Sequence, residues 1–427
     1  MLELRFIVEH PEVVKRNLQK RNDLEKQKWV DEIVELYSRL KSLNSSLERL
    51  RAQRNSISKQ INENKKLGKD VSALLKEAAS IPEQIKLIEG EVASIEEKIL
   101  YYRMRIPNML HDSVPVGKDS SENVEVKRWG FPKVPDFELL PHGELAEQLG
   151  VADFKKAGEV SGSGFVYLKG ELALLDLALQ RFAIDHLLKK GFRLVEPPFM
   201  LGRRAYEGVT SLEDFQNVMY KIEGEDLFMI ATSEHPIVAM HAGEVFDESE
   251  LPIFYVGISP CFRKEIGSHG VDTRGLFRMH QFNKVEQVVF CKPEDSWKIH
   301  EQIQRNSEEL LEALEIPYRV VNICTGDIGI IAAKKYDIEA WFPRERKYAE
   351  VTSCSNCTSY QAVRLNIKYR KKDGSKEYVH TLNNTGLATS RIMRAILENY
   401  QQKDRSVLIP RALIPYMNGI REIRAER

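Results

Sequence analysis

Residues 262–286, FRKEIGSHGVDTRGLFRMHQFNKVE, combine arginine, glutamate and phenylalanine at spacings that could grip a nucleotide. Runs rich in aromatic and β-branched residues, Ile253-Phe254-Tyr255-Val256 and residues 282–289, flank a centre loaded with glycine, charge and histidine. This pattern predicts two antiparallel strands joined by a long loop. Arg263 and Glu265 are two apart and are expected on one face of the first strand. Arg278, Phe282 and Glu286, four apart, are expected on one face of the return strand. Such a face offers guanidiniums for phosphates, an aromatic plate for a base, and carboxylates for amino groups. A solvated edge hairpin also alternates charge, but it has no need of a phenylalanine between its charges.

Three further segments carry chemistry. In Thr232-Ser233-Glu234, a hydroxyl and a carboxylate two apart can hold an ammonium group, and they can equally cap the helix expected over PIVAMHAGEVF. Glu350 and Ser353, on a strand expected to pair with residues 336–342, could supply oxygens to a hard divalent cation. Arg391 lies near the start of the helix expected after HTLNNTGLATS, which is read as a polar turn. An arginine there offends the helix dipole unless an anion such as a triphosphate occupies that end. Cys354-x-x-Cys357 is half of a zinc site at most, since Cys261, Cys291 and Cys324 are isolated and no structural zinc is expected. His235 and His241 have no spaced partner and read as core or surface histidines.

The segment F-R-x-E, a loop, then R-x-x-x-F resembles motif 2 of the class II aminoacyl-tRNA synthetases, and its fuller wording resembles the seryl-tRNA synthetase family. Residues 191–200, GFRLVEPPFM, resemble motif 1 with Pro198 in place, and residues 383–400 resemble motif 3, G-L-x-x-x-R. The family's T-x-E loop matches Thr232 and Glu234, with Ser233 between them a departure from the usual small apolar residue. The resemblance implies a homodimer built through motif 1, and ATP and magnesium as substrate and cofactor. It implies ATP contacts from Arg263, Lys264, Glu265, Arg278, Phe282, Glu350, Val351, Thr352, Ser353 and Arg391. Of these, Arg263, Arg391 and Glu350 are expected to act in catalysis, and Glu350 and Ser353 to hold Mg²⁺. L-serine is expected on Thr232, Ser233, Glu234, Arg263, Glu286, Asn383 and Thr385.

Length and charge set the bounds. The chain has 427 residues, room for two or three domains and a large core. Lys plus Arg equal Asp plus Glu at 63 each, so any footprint for nucleic acid must be local. No apolar run reaches membrane-spanning length, and the first residues lack a secretory pattern, so no membrane and a cytoplasmic location are expected. Five cysteines are an odd number that argues against a secreted disulfide framework.

The elements that must position these groups differ sharply along the chain. From Trp29, apolar residues recur at Ile33, Leu36, Leu40, Leu43, Leu47, Leu50, Ile57 and Ile61, then at Val71, Leu74, Ala78, Ile81, Ile85, Ile88, Val92, Ile95 and Ile99. This is heptad spacing around a Gly68-containing turn, which predicts a long antiparallel helical hairpin with Pro82 as a kink. Its distal half is rich in basic residues, suiting a duplex backbone gripped by shape. In the family that resemblance points to, such an arm clasps tRNA; Arg49, Arg51, Arg54, Lys59, Lys65 and Lys66, with His269 and Arg274 of the hairpin loop, are the expected tRNA contacts. Serine tRNA is the implied partner, with selenocysteine tRNA left open as a second acceptor. The expected fold is α+β: a coiled-coil arm over residues 1–110, a linker and irregular layer over 111–165, and a catalytic domain over 166–427. That domain is expected to carry a mostly antiparallel sheet flanked by helices, with motif 2 spanning 253–289.

Overall fold

The computed structural model describes residues 1–211, 218–265 and 275–425. Residues 2–107 and residues 108–427 form two compact units.

The first unit is helical. Two short helices, Leu4–Glu9 and Pro11–Lys20, precede the long helices α1 (Glu25–Lys66) and α2 (Ser72–Arg103). The short pair was not expected; Pro11 at the first helical position, where no amide hydrogen is needed, is its clearest sign. The turn between α1 and α2 follows from local chemistry. Lys69 N donates to Asn64 O, Gly68 takes a left-handed φ of 68°, and Asp70 Oδ1 accepts from Ser72 N at 2.9 Å. The heptad residues form the seam, with Leu47, Ile57, Ile61, Ile81 and Ile85 in one cluster and Leu40, Ile95 and Ile99 in another. Pro82 does not break α2. Ile81 and Ile85 on either side of it both stay buried. At the base, Trp29 stacks on Tyr102, whose hydroxyl donates to Glu32 at 2.6 Å.

The second unit is built on an eight-stranded sheet: β1 (Val124–Trp129), β2 (Arg193–Val195), β3 (Ile253–Phe262), β4 (Gln281–Cys291), β5 (Tyr318–Asn322), β6 (Lys334–Phe342), β7 (Lys347–Asn356) and β8 (His380–Ala388). The spatial order is β1-β5-β6-β7-β8-β4-β3-β2, antiparallel at every step except β3 to β2. Two expectations need correction. Residues 111–165 are not only an irregular linker, because β1 within them pairs with β5 at the sheet edge, with a bulge at Val126. The polar stretch around Asn383 and Thr385 is not a turn but the central strand β8. Its side chains find partners: Asn384 Nδ2 donates to Ile303 O and Ser307 Oγ, and Thr381 Oγ1 to Gln361 Oε1.

Helices α3 (Gly170–Lys189) and α5 (Ser296–Ala313) contribute Leu172, Leu179, Leu187, Ile299 and Ile303 to one core, together with Val285 and Val289 of β4. Between them in sequence lies the short helix α4 (Glu234–Ala239), and after β8 the helix α6 (Thr389–Asn399). Val288 and Phe290 of β4 turn the other way, joining Ile237 and Val238 of α4 in a second core. The strand period of two thus sorts β4 and β8 into a face packed on α5 and a face open to a cavity. No helix of the described residues is long and apolar enough to cross a membrane.

Candidate active site

The open face of the sheet carries a cavity of about 460 Å³. Phe282, Lys284 and Glu286 of β4 line it, with Asn383 and Thr385 of β8, residues 350–353 of β7, Thr232 and Glu234 at the start of α4, Arg263 after β3, and Arg391 of α6. Groups scattered between Thr232 and Arg391 therefore meet in one place.

Two carboxylates occupy one end. Glu286 Oε2 accepts from Thr385 Oγ1 at 3.3 Å and lies 2.6 Å from Lys284 Nζ. Glu234 Oε1 accepts from Gln361 Nε2 at 2.8 Å, and Gln361 is itself held by Val209 O and Thr381 Oγ1. Burial, reinforced by the neighbouring Glu286, pushes the Glu234 carboxyl up to about 7. Thr232 Oγ1 accepts from Glu234 N at 3.2 Å, steadying the turn into α4 while also lining the cavity; the N-cap residue is Ser233, whose side chain makes no capping bond. Asn383 Nδ2 points at Cys357 Sγ, 3.7 Å away.

Arg263 stands between the two ends. Its backbone N donates to His280 O at 3.0 Å, its guanidinium reaches Ala231 O at 3.4 Å, and its Cζ is 5.4 Å from the Phe282 ring centre. At the far end Arg391 Nη1 donates to Glu350 Oε1 at 2.9 Å and to Glu350 O at 3.2 Å. Phe277 supports Arg391 from behind, 5.2 Å from ring centre to Cζ. The surrounding protein opposes charge on Glu350, yet Arg391, with Lys335 and Arg263, more than offsets this and holds its carboxyl below the ordinary value.

Four expected residues, Ser233, Lys264, Glu265 and Arg278, do not line the cavity. Ser233 Oγ is buried with no hydrogen-bond partner among the described residues and lies against Gly257 of β3, 2.5 Å from where a Cβ there would be. It does not face the cavity, because Glu234 already begins the helix and turns its neighbour to the back. Arg263 and Glu265 do not share a strand face: β3 ends at Phe262, and Glu265 takes a φ of 46°. Arg278 precedes β4 rather than lying on it, and its Nη1 is 3.7 Å from Glu265 Oε2, outside the cavity lining. Lys264 is fixed through its backbone, which donates to Val218 O. His269 and Arg274 lie outside the described residues.

Two residues escaped the sequence reading. Lys284 was visible in principle, since it falls between Phe282 and Glu286 at strand spacing. Gln361 had no signal, because only the fold brings it to Glu234.

Hard oxygen donors fit a magnesium ion. Glu350 and Ser353 line the cavity on one strand, and Asp337, paired across the ladder with Ser353, keeps a buried Oδ1 without a partner among the described residues. The cysteines are a different case. Cys354 and Cys357 are buried free thiols, and burial holds both well above their ordinary value. Among the described residues, no group of three or more His, Cys, Asp or Glu side chains could hold a metal. His235 and His241 are core histidines, His235 edge-on to Tyr206 and His241 stacked on Tyr255.

Comparison with known proteins agrees along the whole chain. Residues 218–400 match the tRNA synthetase class II core domain (G, H, P, S and T), and residues 1–110 match the seryl-tRNA synthetase N-terminal domain. The serine–tRNA ligase of Methanocella arvoryzae is 62% identical over 98% of this chain and 99% of its own. The crystal structure of seryl-tRNA synthetase from Pyrococcus horikoshii complexed with ATP matches with a TM-score of 0.94 at 50% identity, covering 100% of both chains. A cytoplasmic serine–tRNA ligase from Naegleria fowleri in complex with AMP matches with a TM-score of 0.89 at 36% identity, over 100% of this chain and 99% of the other. The chain belongs to the seryl-tRNA synthetase family of class II aminoacyl-tRNA synthetases.

Proposed function

We propose that this chain activates L-serine with ATP, giving seryl-adenylate and pyrophosphate, and then transfers the seryl group to the 3′-terminal adenosine of serine tRNA. One observation carries the reading: a single cavity lined by Glu234, by Glu286 with its Thr385 and Lys284 partners, by Arg263 beside Phe282, and by the Arg391–Glu350 pair, a set that suits an amino acid together with a nucleotide.

In the first step the serine carboxylate attacks the α-phosphorus and the bond to the β-phosphate oxygen breaks. The protein needs no covalent intermediate for this, and positioning with charge neutralisation supplies the rate. Glu234 and Thr232 hold the serine ammonium, while Glu286 and Thr385 read its hydroxyl, with Asn383 alongside. Arg263 bridges the serine carboxylate and the α-phosphate, which carry the attacking and attacked atoms. Phe282 supports the adenine ring; Glu265 accepts from its amino group, and Arg278 covers the ring once it leaves Glu265. Val351 and Thr352 form the wall of the ATP end. Arg391 leaves Glu350 for the leaving pyrophosphate. Glu350 and Ser353 would hold Mg²⁺, which when bound neutralises phosphate charge. In the second step the terminal ribose hydroxyl takes the acyl group and AMP leaves.

The basic residues Arg49, Arg51, Arg54, Lys59, Lys65 and Lys66 of the helical hairpin are exposed, and they are the tRNA contacts of this reading. Arg51 is shared with Glu89 at 2.8 Å. A homodimer through residues 191–200, a cytoplasmic location and selenocysteine tRNA as a further acceptor complete the proposal. Amino-acid-dependent ATP–pyrophosphate exchange tests the first step. Serine alone of the twenty amino acids should drive rapid exchange; exchange led by threonine or proline would refute the assignment.

A further inference from the structure

Lys284 lies between Phe282 and Glu286 in β4 and faces the cavity with them. Its ammonium is 2.6 Å from Glu286 Oε2, and the two side chains are only 8% and 2% exposed. Thr385 Oγ1 donates to the same oxygen. The second carboxylate of the cavity, the partly buried Glu234, is met by the neutral amide of Gln361 instead, and no ion pair reaches it among the described residues.

The site therefore offers an amino acid two carboxylates of unlike kind. An ammonium entering at Glu234 gains a counter-charge. At Glu286 it would have to share the carboxylate with a cation already in contact with it, in surroundings where like charges repel strongly. A neutral hydroxyl meets no such penalty and can use the lone pairs that Lys284 and Thr385 leave free.

We propose that Lys284 is a specificity-determining residue: by neutralising Glu286 it reserves that carboxylate for the uncharged hydroxyl of serine and directs the substrate ammonium to Glu234. The inference rests on the serine-activating function and deepens it, because it names the competitor that the site rejects. That competitor is an amino acid with a cationic group in place of the hydroxyl.

The test compares serine with 2,3-diaminopropionate in ATP–pyrophosphate exchange at one mildly acidic pH where both amines are protonated; partial protonation of Glu234 there slows both substrates alike and cancels in their ratio. The wild-type chain should strongly favour serine. In Lys284→Met the ratio of kcat/KM for diaminopropionate to that for serine should rise at least about tenfold, with the KM for ATP moving less than about twofold. Lys284→Gln, which keeps a polar side chain, should do the same and covers the case in which the methionine variant does not fold. Lys284→Arg keeps the cation and should hold the ratio near the wild-type value. Parallel loss with both substrates at an unchanged ratio would reduce Lys284 to a structural role and overturn the proposal. So would an arginine variant that discriminates as poorly as the uncharged ones. A wild-type chain that shows no serine-dependent exchange would instead refute the underlying function.

Discussion

Glu234 shows how far a residue's surroundings decide its use. Its carboxyl is raised to about 7 by burial and by Glu286, so below that pH it carries a proton in the empty site. A protonated carboxyl cannot counter the serine ammonium. The kcat/KM for serine should therefore be full above about pH 7 and fall by about tenfold per unit below it, while the KM for ATP stays level. Exchange kinetics from pH 5 to 8 measure this, and a flat serine profile would contradict it. Thr385 Oγ1 donates to Glu286, and in its proposed role as a hydroxyl reader Thr385→Ala should raise the KM for serine about tenfold or more and leave that for ATP nearly unchanged, because its loss leaves buried polar groups unpaired. Equal effects on both substrates would take Thr385 out of the serine site. At this scale residue type and spacing pointed to Arg263, Phe282, Glu286 and Arg391, and the family resemblance to Glu350; all five line the cavity. The same signals misplaced Ser233, whose orientation depends on where α4 begins, and passed over Lys284, whose value lies in a partner two residues away.

Secondary structure was legible wherever a period ran uninterrupted. The heptads of α1 and α2 and the β-branched runs of β3 and β4 announce themselves, and the Pro343 turn between β6 and β7 does so as well. β8 was not legible, because Asn383, Asn384 and Thr385 carry turn composition. Only the partners on α5, on Glu286 and at Gln361 make a polar central strand affordable. The end of β3 was hidden for the opposite reason: alternation continues through Glu265 in sequence, but a positive φ breaks the pleat. The helical hairpin makes the clearest prediction of this scale. Its seam is closed by its own residues and its turn by Gly68 and Asp70, so residues 44–94 can be replaced by a short turn without touching the cavity-lining groups. Serine-dependent pyrophosphate exchange should stay within about twofold of the full chain, while charging of serine tRNA should fall by at least about a hundredfold, since phosphate contacts dominate such affinity. Loss of both together would mean that the hairpin supports the fold of the site rather than the capture of tRNA.

The whole molecule joins two kinds of physics. A cavity of about 460 Å³ selects a small amino acid and ATP through buried, paired groups, where an unpaired polar atom or a misplaced charge is costly. A separate helical unit carries exposed basic residues suited to a backbone, where charge matters and base identity does not. Net charge gave no hint of this division, because 63 basic and 63 acidic residues cancel over the chain, while residues 39–76 of the hairpin hold 10 basic residues against 3 acidic ones. The most direct test of the account is aminoacylation of unfractionated tRNA with serine, ATP and Mg²⁺, the charged species being identified by sequencing. Charging confined to serine tRNAs, with or without selenocysteine tRNA, is the predicted result. Seryl-adenylate formed without any charged tRNA, or serine spread over unrelated tRNAs, would contradict it.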